Sequence, residues 1–250
     1  VTSSIFIGLT KAIPNADHTV KDFPESSPQN FSEDRLNALN RRYGSMSPQE
    51  RVRSLYTDFP HESVLFTSSF GTSAAILLHM FAEIEPDQKV HFIDTTYHFA
   101  ETIDYREKLT EMLGLKVIDV LPAAWKNTFT KEDQTWTKDP DLCCSINKVE
   151  PLDALKPGFQ VWVSGLMGFQ NTQRKARRVF EKSGNLLKFH PLIDMTEGEM
   201  NACFEEFGLP KHPLQRLGYE SIGCAQCTFK GKGREGRWHG KSKTECGLHL

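Results

Sequence analysis

A chain of 250 residues, 38% hydrophobic and 25% charged, is long enough to bury the core of one ordinary domain and too apolar to stay disordered. Its formal charge of −2 excludes bulk nucleic-acid binding, which needs a basic face, so any anion recognition must come from local clusters. No apolar run approaches the roughly 18–20 residues that span a bilayer, so no membrane association is expected.

The chain starts at Val1, as expected of a processed or trimmed terminus, and Val1-Thr-Ser-Ser-Ile-Phe is too polar for a secretory signal. Residues 1–31 carry Pro14, Pro24 and Pro28 without periodicity and read as an extended N-terminal arm. A capped helix is predicted from Ser32 and a second from Ser47-Pro48, with Pro at the first helical position. From residue 63 the pattern changes to alternating strands and helices. Strands are expected at Val64–Thr67, Val90–Ile93 and Lys116–Leu121, and helices at Ala74–Ile84 and Ala100–Leu113. A polar stretch, residues 122–142, interrupts the alternation. A helix at Ser145–Leu155, strands at Gln160–Ser164 and Leu186–His190, and a helix at Glu197–Phe207 ending at Gly208 complete it. This order predicts an α/β fold, a parallel sheet covered by helices, over residues 32–229. Residues 230–250 read as a basic, mobile C-terminal tail.

Ser68-Ser69-Phe70-Gly71-Thr72-Ser73 lies between a strand and a helix, where open parallel sheets bind ligands. Small residues let backbone amides approach an anion, and a helix N-terminus favours negative charge. The loop matches neither the Walker lysine loop nor Gly-x-Gly-x-x-Gly, and a plain tight turn is an equal reading. Asp94, Thr95 and Thr96, at the end of the next strand, could hold a ribose or purine edge or simply cap a helix.

Four of the six cysteines form two tight pairs, Cys143-Cys144 and Cys224-x-x-Cys227. Brought together they suit an iron–sulfur cluster or zinc, and adjacent cysteines fit a zinc ribbon poorly. Lys148 follows Cys144 by one helical turn and would place a cation beside those thiolates. Cys203 reads as a packed core thiol. Between Lys230 and Lys243 the chain carries Lys230, Lys232, Arg234, Arg237, Lys241 and Lys243 against the single acid Glu235. Such a run is ordinarily a solvated face, yet it leads into Cys246. Basic neighbours lower a thiol's pKa from about 8.5. With Gly247 for mobility and His249 as a hydrogen-bond donor, Cys246 has the surroundings of a catalytic nucleophile.

Together these residues resemble the assimilatory sulfonucleotide reductases, from about residue 50 onward. The resemblance rests on Ser69-Phe-Gly, Asp94-Thr, Phe99-x-Glu101-Thr, Asn147-Lys-Val-Glu-Pro151, Gly218-Tyr-x-Ser-Ile-Gly223 and, most specifically, Glu245-Cys-Gly-Leu-His249. It implies an adenine-nucleotide α-hydrolase-like (PP-loop-like) fold, with Ser73 where ATP-cleaving relatives carry Asp. It implies reduction of adenosine 5′-phosphosulfate to sulfite and AMP in sulfate assimilation. Cys246 would attack sulfur to give an S-sulfocysteine, and thioredoxin or a similar dithiol would release sulfite. Lys148, Arg234, Arg237 and His249 would surround the phosphosulfate. Cys143, Cys144, Cys224 and Cys227 would ligate a [4Fe–4S] cluster, as in members that use the nucleotide lacking a 3′-phosphate. The alternatives are the 3′-phosphorylated substrate, or a non-catalytic nucleotide-binding protein with a four-thiolate metal site. A cytoplasmic or plastid location is expected, and homo-oligomerisation stays open. One departure stands out: the family's Gly-x-Arg-x-x-Gln reads Gly165-Leu-Met167-Gly-Phe-Gln170 here. Arg174 or Lys175 is the expected source of the missing charge.

Overall fold

The computed structural model describes residues 31–238, 240, 241, 243 and 245–248. Of the arm expected over residues 1–31 all but Phe31 lies outside the described residues, as does His249. Phe31 is buried in the core. The first helix, α1 (Glu33–Gly44), begins where the Ser32 hydroxyl accepts from the Arg35 amide at 3.2 Å. Helix α2 (Pro48–Asp58) starts behind a reciprocal capping box between Ser47 and Glu50.

Six strands follow: β1 (Val64–Ser68), β2 (Lys89–Ile93), β3 (Lys116–Val120), β4 (Val161–Val163), β5 (Phe180–Ser183) and β6 (Leu186–Phe189). They form one sheet in the order β3-β2-β1-β4-β6-β5, parallel except for β5, which pairs antiparallel with β6. The sheet has two faces because side chains alternate along a strand. Val64 and Phe66 of β1, Val161 and Val163 of β4, and Leu187 and Phe189 of β6 build the main core with α1 and α2, α3 (Ala74–Ile84) and α4 (Ala100–Leu113). The alternate residues Leu65, Trp162 and Leu186 form a thinner layer on the other face, against Leu152 and Leu155. Leu248 of the tail packs against this thin layer.

The polar stretch from 122 to 142, to which the sequence assigned no element, is largely helical: α5 (Ala124–Glu132), α6 (Thr135–Lys138) and α7 (Pro140–Cys144). Its periodicity misleads because its polarity is inverted. Trp125 and Phe129 are exposed, while Asn127 and Thr130 are buried. Asn127 donates to the Thr95 carbonyl and to Asn147 Oδ1, and Asn147 donates to the Thr130 hydroxyl. From α7 the chain passes through a π-helical turn, Ser145–Val149, into α8 (Glu150–Leu155), so the expected helix starts five residues earlier, at Pro140. Strand β5, passed over in the sequence, forms a hairpin through Gly184-Asn185. A short α9 (Thr172–Lys175) and α10 (Glu197–Glu206) complete the regular structure.

Strand order reverses between β1 and β4. The crevice beyond their carboxyl ends is the switch point at which open sheets bind ligands.

Arg51, 1% exposed, ties this frame together. It donates to the Tyr43 and Pro191 carbonyls at 2.8 and 3.0 Å and to both Asp194 oxygens at 2.5 and 2.6 Å. Arg51→Met would strand two buried carbonyls and is expected to cost about 2–3 kcal/mol in urea unfolding. The Arg51 hydrogen bonds hold Asp194 below the ordinary aspartate range, so their contribution is complete above that range and lost as pH falls through the folded value. The stability gap between wild type and variant should therefore narrow in acid.

Candidate active site

A cavity occupies the predicted crevice. Its floor is Ser68, Ser69, Gly71 and Thr72 after β1 and Ser164 and Gly165 after β4. Its walls carry Lys148, Arg174, Arg234 and Arg237, and the tail closes over it with Glu245, Cys246 and Leu248. The loop after β1 is held by Phe70, whose ring is fully buried against Phe92 and whose φ of 48° is strained for a non-glycine residue. Phe70 was expected at the substrate. Its side chain is instead the loop's anchor in the core.

Asp94 and Thr95 do not line this cavity. Asp94 accepts from the Thr96 amide at 2.7 Å and shapes the turn after β2. The Thr95 hydroxyl lies 3.4 Å from the Cys224 sulfur, so Thr95 faces the cysteines instead. The cysteine pairs do come together. Cys143, Cys144, Cys224 and Cys227 line one enclosed cavity with Tyr97, Trp136 and Asn147. Lys148 and Trp238 line both cavities and form the partition between them.

The charges in this region explain one another. Burial pushes the Cys143 thiol up to about 12, with Cys144, Cys224 and Cys227 adding to it. Burial likewise takes Cys144 to about 11, although Lys148 works against it. Cys224 is the exception: burial is outweighed by Lys148, Thr95 and Arg237, which bring its pKa below the ordinary value. For Lys148 burial opposes the charge, and Cys224, Cys246 and Cys144 overcome it and raise the ammonium. Buried thiols of which Cys143, Cys144 and Cys227 are pushed up, chiefly by burial and in part by one another, are a donor set suited to a cationic guest. Among the described residues no three His, Cys, Asp or Glu side chains stand close enough to share a single metal ion. One zinc with bonds of about 2.3 Å needs sulfurs roughly 3.8 Å apart. A four-iron cluster takes its four cysteines at separate corners, and the four thiols around one cavity fit that arrangement better.

Arg237 is 9% exposed and passes over the Gly223 backbone, donating to the Ile222 carbonyl at 3.1 Å. Its guanidinium stacks 4.5 Å above the Trp238 ring, which also lies 5.6 Å from the Lys243 ammonium. Arg234 is half-buried, and burial followed by Arg174 lowers its pKa to about 10. The nucleophile candidate Cys246 is half-buried at the cavity. His249 lies outside the described residues.

Met167 does not reach the site. It is fully buried in the main core. Arg174 lines the cavity as expected of a replacement, while Lys175 does not. Its charge, however, is engaged. Arg174 forms a two-pronged pair with Glu245, Nε at 2.7 Å and Nη2 at 2.9 Å, and Nη1 donates to the Gln170 side chain.

Several participants were not singled out from the sequence. Ser164 Oγ lies 2.9 Å from His190 Nδ1, and His190 Nε2 lies 3.3 Å from Glu181, so a buried polar chain runs behind the cavity wall. His98 lines the cavity, and burial takes its pKa to about 4, leaving a neutral ring. Lys188 donates to the Leu248 carbonyl at 3.1 Å and holds the tail's end. Nothing in local periodicity marks these residues. Glu245, Gln170 and Asn147, by contrast, lay inside motifs already quoted, though without a role assigned to them.

The phosphoadenosine phosphosulfate reductase domain matches residues 63–230. The chain belongs to that family. Relatives named adenosine 5′-phosphosulfate reductase are 36% identical, in Mesorhizobium japonicum over 85% of this chain and 86% of theirs, and in Bacillus cereus over 78% and 86%. The crystal structure of phosphoadenylyl-sulfate reductase from Candida auris matches with a TM-score of 0.70 at 27% identity, covering 80% of this chain and 98% of that one. Candida glabrata FMN adenylyltransferase shares the fold alone, with a TM-score of 0.53 at 14% identity. The expected adenine-nucleotide α-hydrolase-like architecture is thereby borne out, in a family of sulfonucleotide reductases.

Gly223 is required by the close approach of Arg237. A Cβ there would lie 2.1 Å from Arg237 Nη2, the movable end of a long side chain. Gly223→Ala should therefore fold normally and displace the guanidinium. Calorimetric titration with AMP is expected to show affinity weakened about tenfold.

Proposed function

We propose that this protein reduces adenosine 5′-phosphosulfate to sulfite and AMP, with Cys246 as the nucleophile. The observation that carries the reading is that Cys246 and four cations, Lys148, Arg174, Arg234 and Arg237, line one cavity at the switch point of the sheet. The names of the Mesorhizobium and Bacillus relatives support the same substrate.

The nucleotide lies with its phosphosulfate over the loop at residues 68–72, towards the cations. Lys148 and Arg237 draw charge from the sulfonate and phosphate oxygens and so let one anion approach another. The Cys246 thiolate attacks sulfur, the sulfur–oxygen bond to phosphate breaks, and AMP leaves with the electron pair. Cys246 now carries the sulfonate as an S-sulfocysteine. A thiol of an external dithiol, such as thioredoxin, attacks the Cys246 sulfur and expels sulfite. The dithiol's second thiol then frees Cys246, so the dithiol supplies both electrons. His249 is the proposed donor to the departing oxygens.

Cys143, Cys144, Cys224 and Cys227 are the proposed ligands of a [4Fe–4S] cluster. When bound it supplies structural and electrostatic support rather than electrons. Lys148, on the partition, carries a positive charge towards both the thiols and the substrate. The same four cysteines favour the nucleotide without a 3′-phosphate, as the family resemblance implies. The Candida auris likeness keeps the 3′-phosphorylated nucleotide as the second reading.

Anaerobically prepared protein with thioredoxin is expected to make sulfite from adenosine 5′-phosphosulfate faster than from its 3′-phosphorylated form; the reverse order would favour the second reading. Cys246→Ser should bind AMP within about threefold of wild type and make no sulfite. Sulfite turnover by that variant would overturn the mechanism. Brown colour and visible absorption, with four irons per chain, are expected of the purified protein, and a colourless zinc protein would refute the cluster.

A further inference from the structure

Glu245 is 3% exposed, beside the nucleophile, in a tail otherwise rich in cations. A carboxylate so buried must be paired and hydrogen-bonded. Its four donors come from two separate parts of the fold. Arg174 gives Nε and Nη2, Asn171 gives Nδ2 at 3.0 Å, and Arg234 gives Nη2 at 3.0 Å. Four donors fill the acceptor sites of one carboxylate.

The partners on the turn after β4 are themselves fixed. Asn171 caps α9, its Oδ1 accepting from the Arg174 amide at 2.7 Å, which leaves its NH2 directed at Glu245. Gln170 Oε1 accepts from Arg174 Nη1 and from the Met167 amide. Gln170, Asn171 and Arg174 therefore form a preset socket beyond the carboxyl end of β4, a central strand of the sheet. The tail beyond Glu245 is fitted to follow. Gly247 has a φ of 84°, and a Cβ there would stand 3.2 Å from Val149, so the chain turns where only glycine sits easily. Leu248 then reaches the thin core layer and its carbonyl accepts from Lys188.

We infer that the Asn171–Arg174 socket and Glu245 form a latch that positions Cys246 over the nucleotide, so that Glu245 and Arg174 are positioning residues for the attack. This rests on the reaction proposed above. The latch also assigns the charges: Arg174 and part of Arg234 serve the tail, and Arg237 with Lys148 serves the substrate. Arg174 thus does not stand in for the arginine that Met167 replaces. Its role is to hold the tail. The carboxylate stays ionised at neutral pH, because Arg174, Arg234 and Asn171 outweigh its burial and lower its pKa.

The test uses Glu245→Gln and Arg174→Lys in the full chain, with folding checked by thermal unfolding and AMP binding. Gln puts an NH2 group against guanidinium donors, and Lys removes the two-pronged geometry while keeping a cation. Each is expected to lower kcat by about a hundredfold with KM little changed, as befits a misplaced nucleophile. The double variant should be no worse than either single one. Independently of turnover, iodoacetamide labelling of Cys246, read by peptide mass spectrometry, should be several-fold faster in each variant. Unchanged labelling, a change confined to KM, or additive losses in the double variant would overturn the latch. If wild type makes no sulfite from either nucleotide, the proposed reaction fails while the labelling comparison still decides the latch. Should Glu245→Gln not fold, Arg174→Lys decides by the same measurements.

Discussion

Concentrating positive charge in one cleft of a chain whose formal charge is −2 is the constraint on which this structure depends. Lys148, Arg174, Arg234 and Arg237 repel one another in a site sheltered from water, where charges interact more strongly than in bulk solvent. The fold relieves that repulsion with a different counterweight at each position. Glu245 lies between Arg174 and Arg234. The Ile222 carbonyl and the face of Trp238 receive Arg237. Lys148 faces the cysteine thiols, which raise its pKa despite burial. What remains after these pairings is a net positive field suited to an anion rather than to a nucleic acid's extended backbone.

That solution dictates where the rigid and the adaptable parts lie. The floor of the cavity is built from strand ends and from a loop anchored by the buried Phe70, so it stands with the core. The roof is the tail, whose contacts are mostly polar or few: Glu245 in its socket, Lys243 paired with Asp141, Lys241 on the Thr137 carbonyl, and one leucine on the thin layer. Apart from the buried Glu245 pair, such contacts can open and re-form at modest cost, which fits the proposed meeting of Cys246 with a nucleotide and then an external thiol. Lys243 also reaches Asp141 on α7, the helix that carries Cys143 and Cys144, and Lys241 reaches the preceding α6, joining the roof to the walls of the cysteine cavity.

A π-helical turn at Ser145–Val149 follows the paired cysteines directly. Widening the helix directly after Cys143-Cys144 and across Lys148 changes the directions in which these side chains leave it. Both adjacent thiols thereby face the cysteine cavity, and Lys148, four residues on, lines that cavity and the larger one alike. Asn147, in the same turn, donates to the Cys143 carbonyl at 2.9 Å and ties the widened turn to the buried polar network of α5.

Local signals alone determined much of this protein. Capping residues fixed the starts of α1 and α2, short apolar runs alternating with helices located five of the six strands, and residue spacing exposed the cysteine pairs and the unusual setting of Cys246. Those signals are legible because each acts within a few neighbouring residues. Tertiary structure decided the rest. α5 escaped notice because it buries Asn127 and Thr130 and exposes Trp125, a polarity that only the hydrogen-bond network beneath it justifies. Asp94 and Thr95 turned away from the cavity at the switch point, and Phe70 into the core, because a loop's direction depends on what packs under it. Glu245 stood in the family-specific run Glu245-Cys-Gly-Leu-His249 with no role that the sequence could assign to it. Its burial depends on Arg174, 71 residues away in the chain, and no pattern along the sequence carries a pairing made only when the chain folds back on itself.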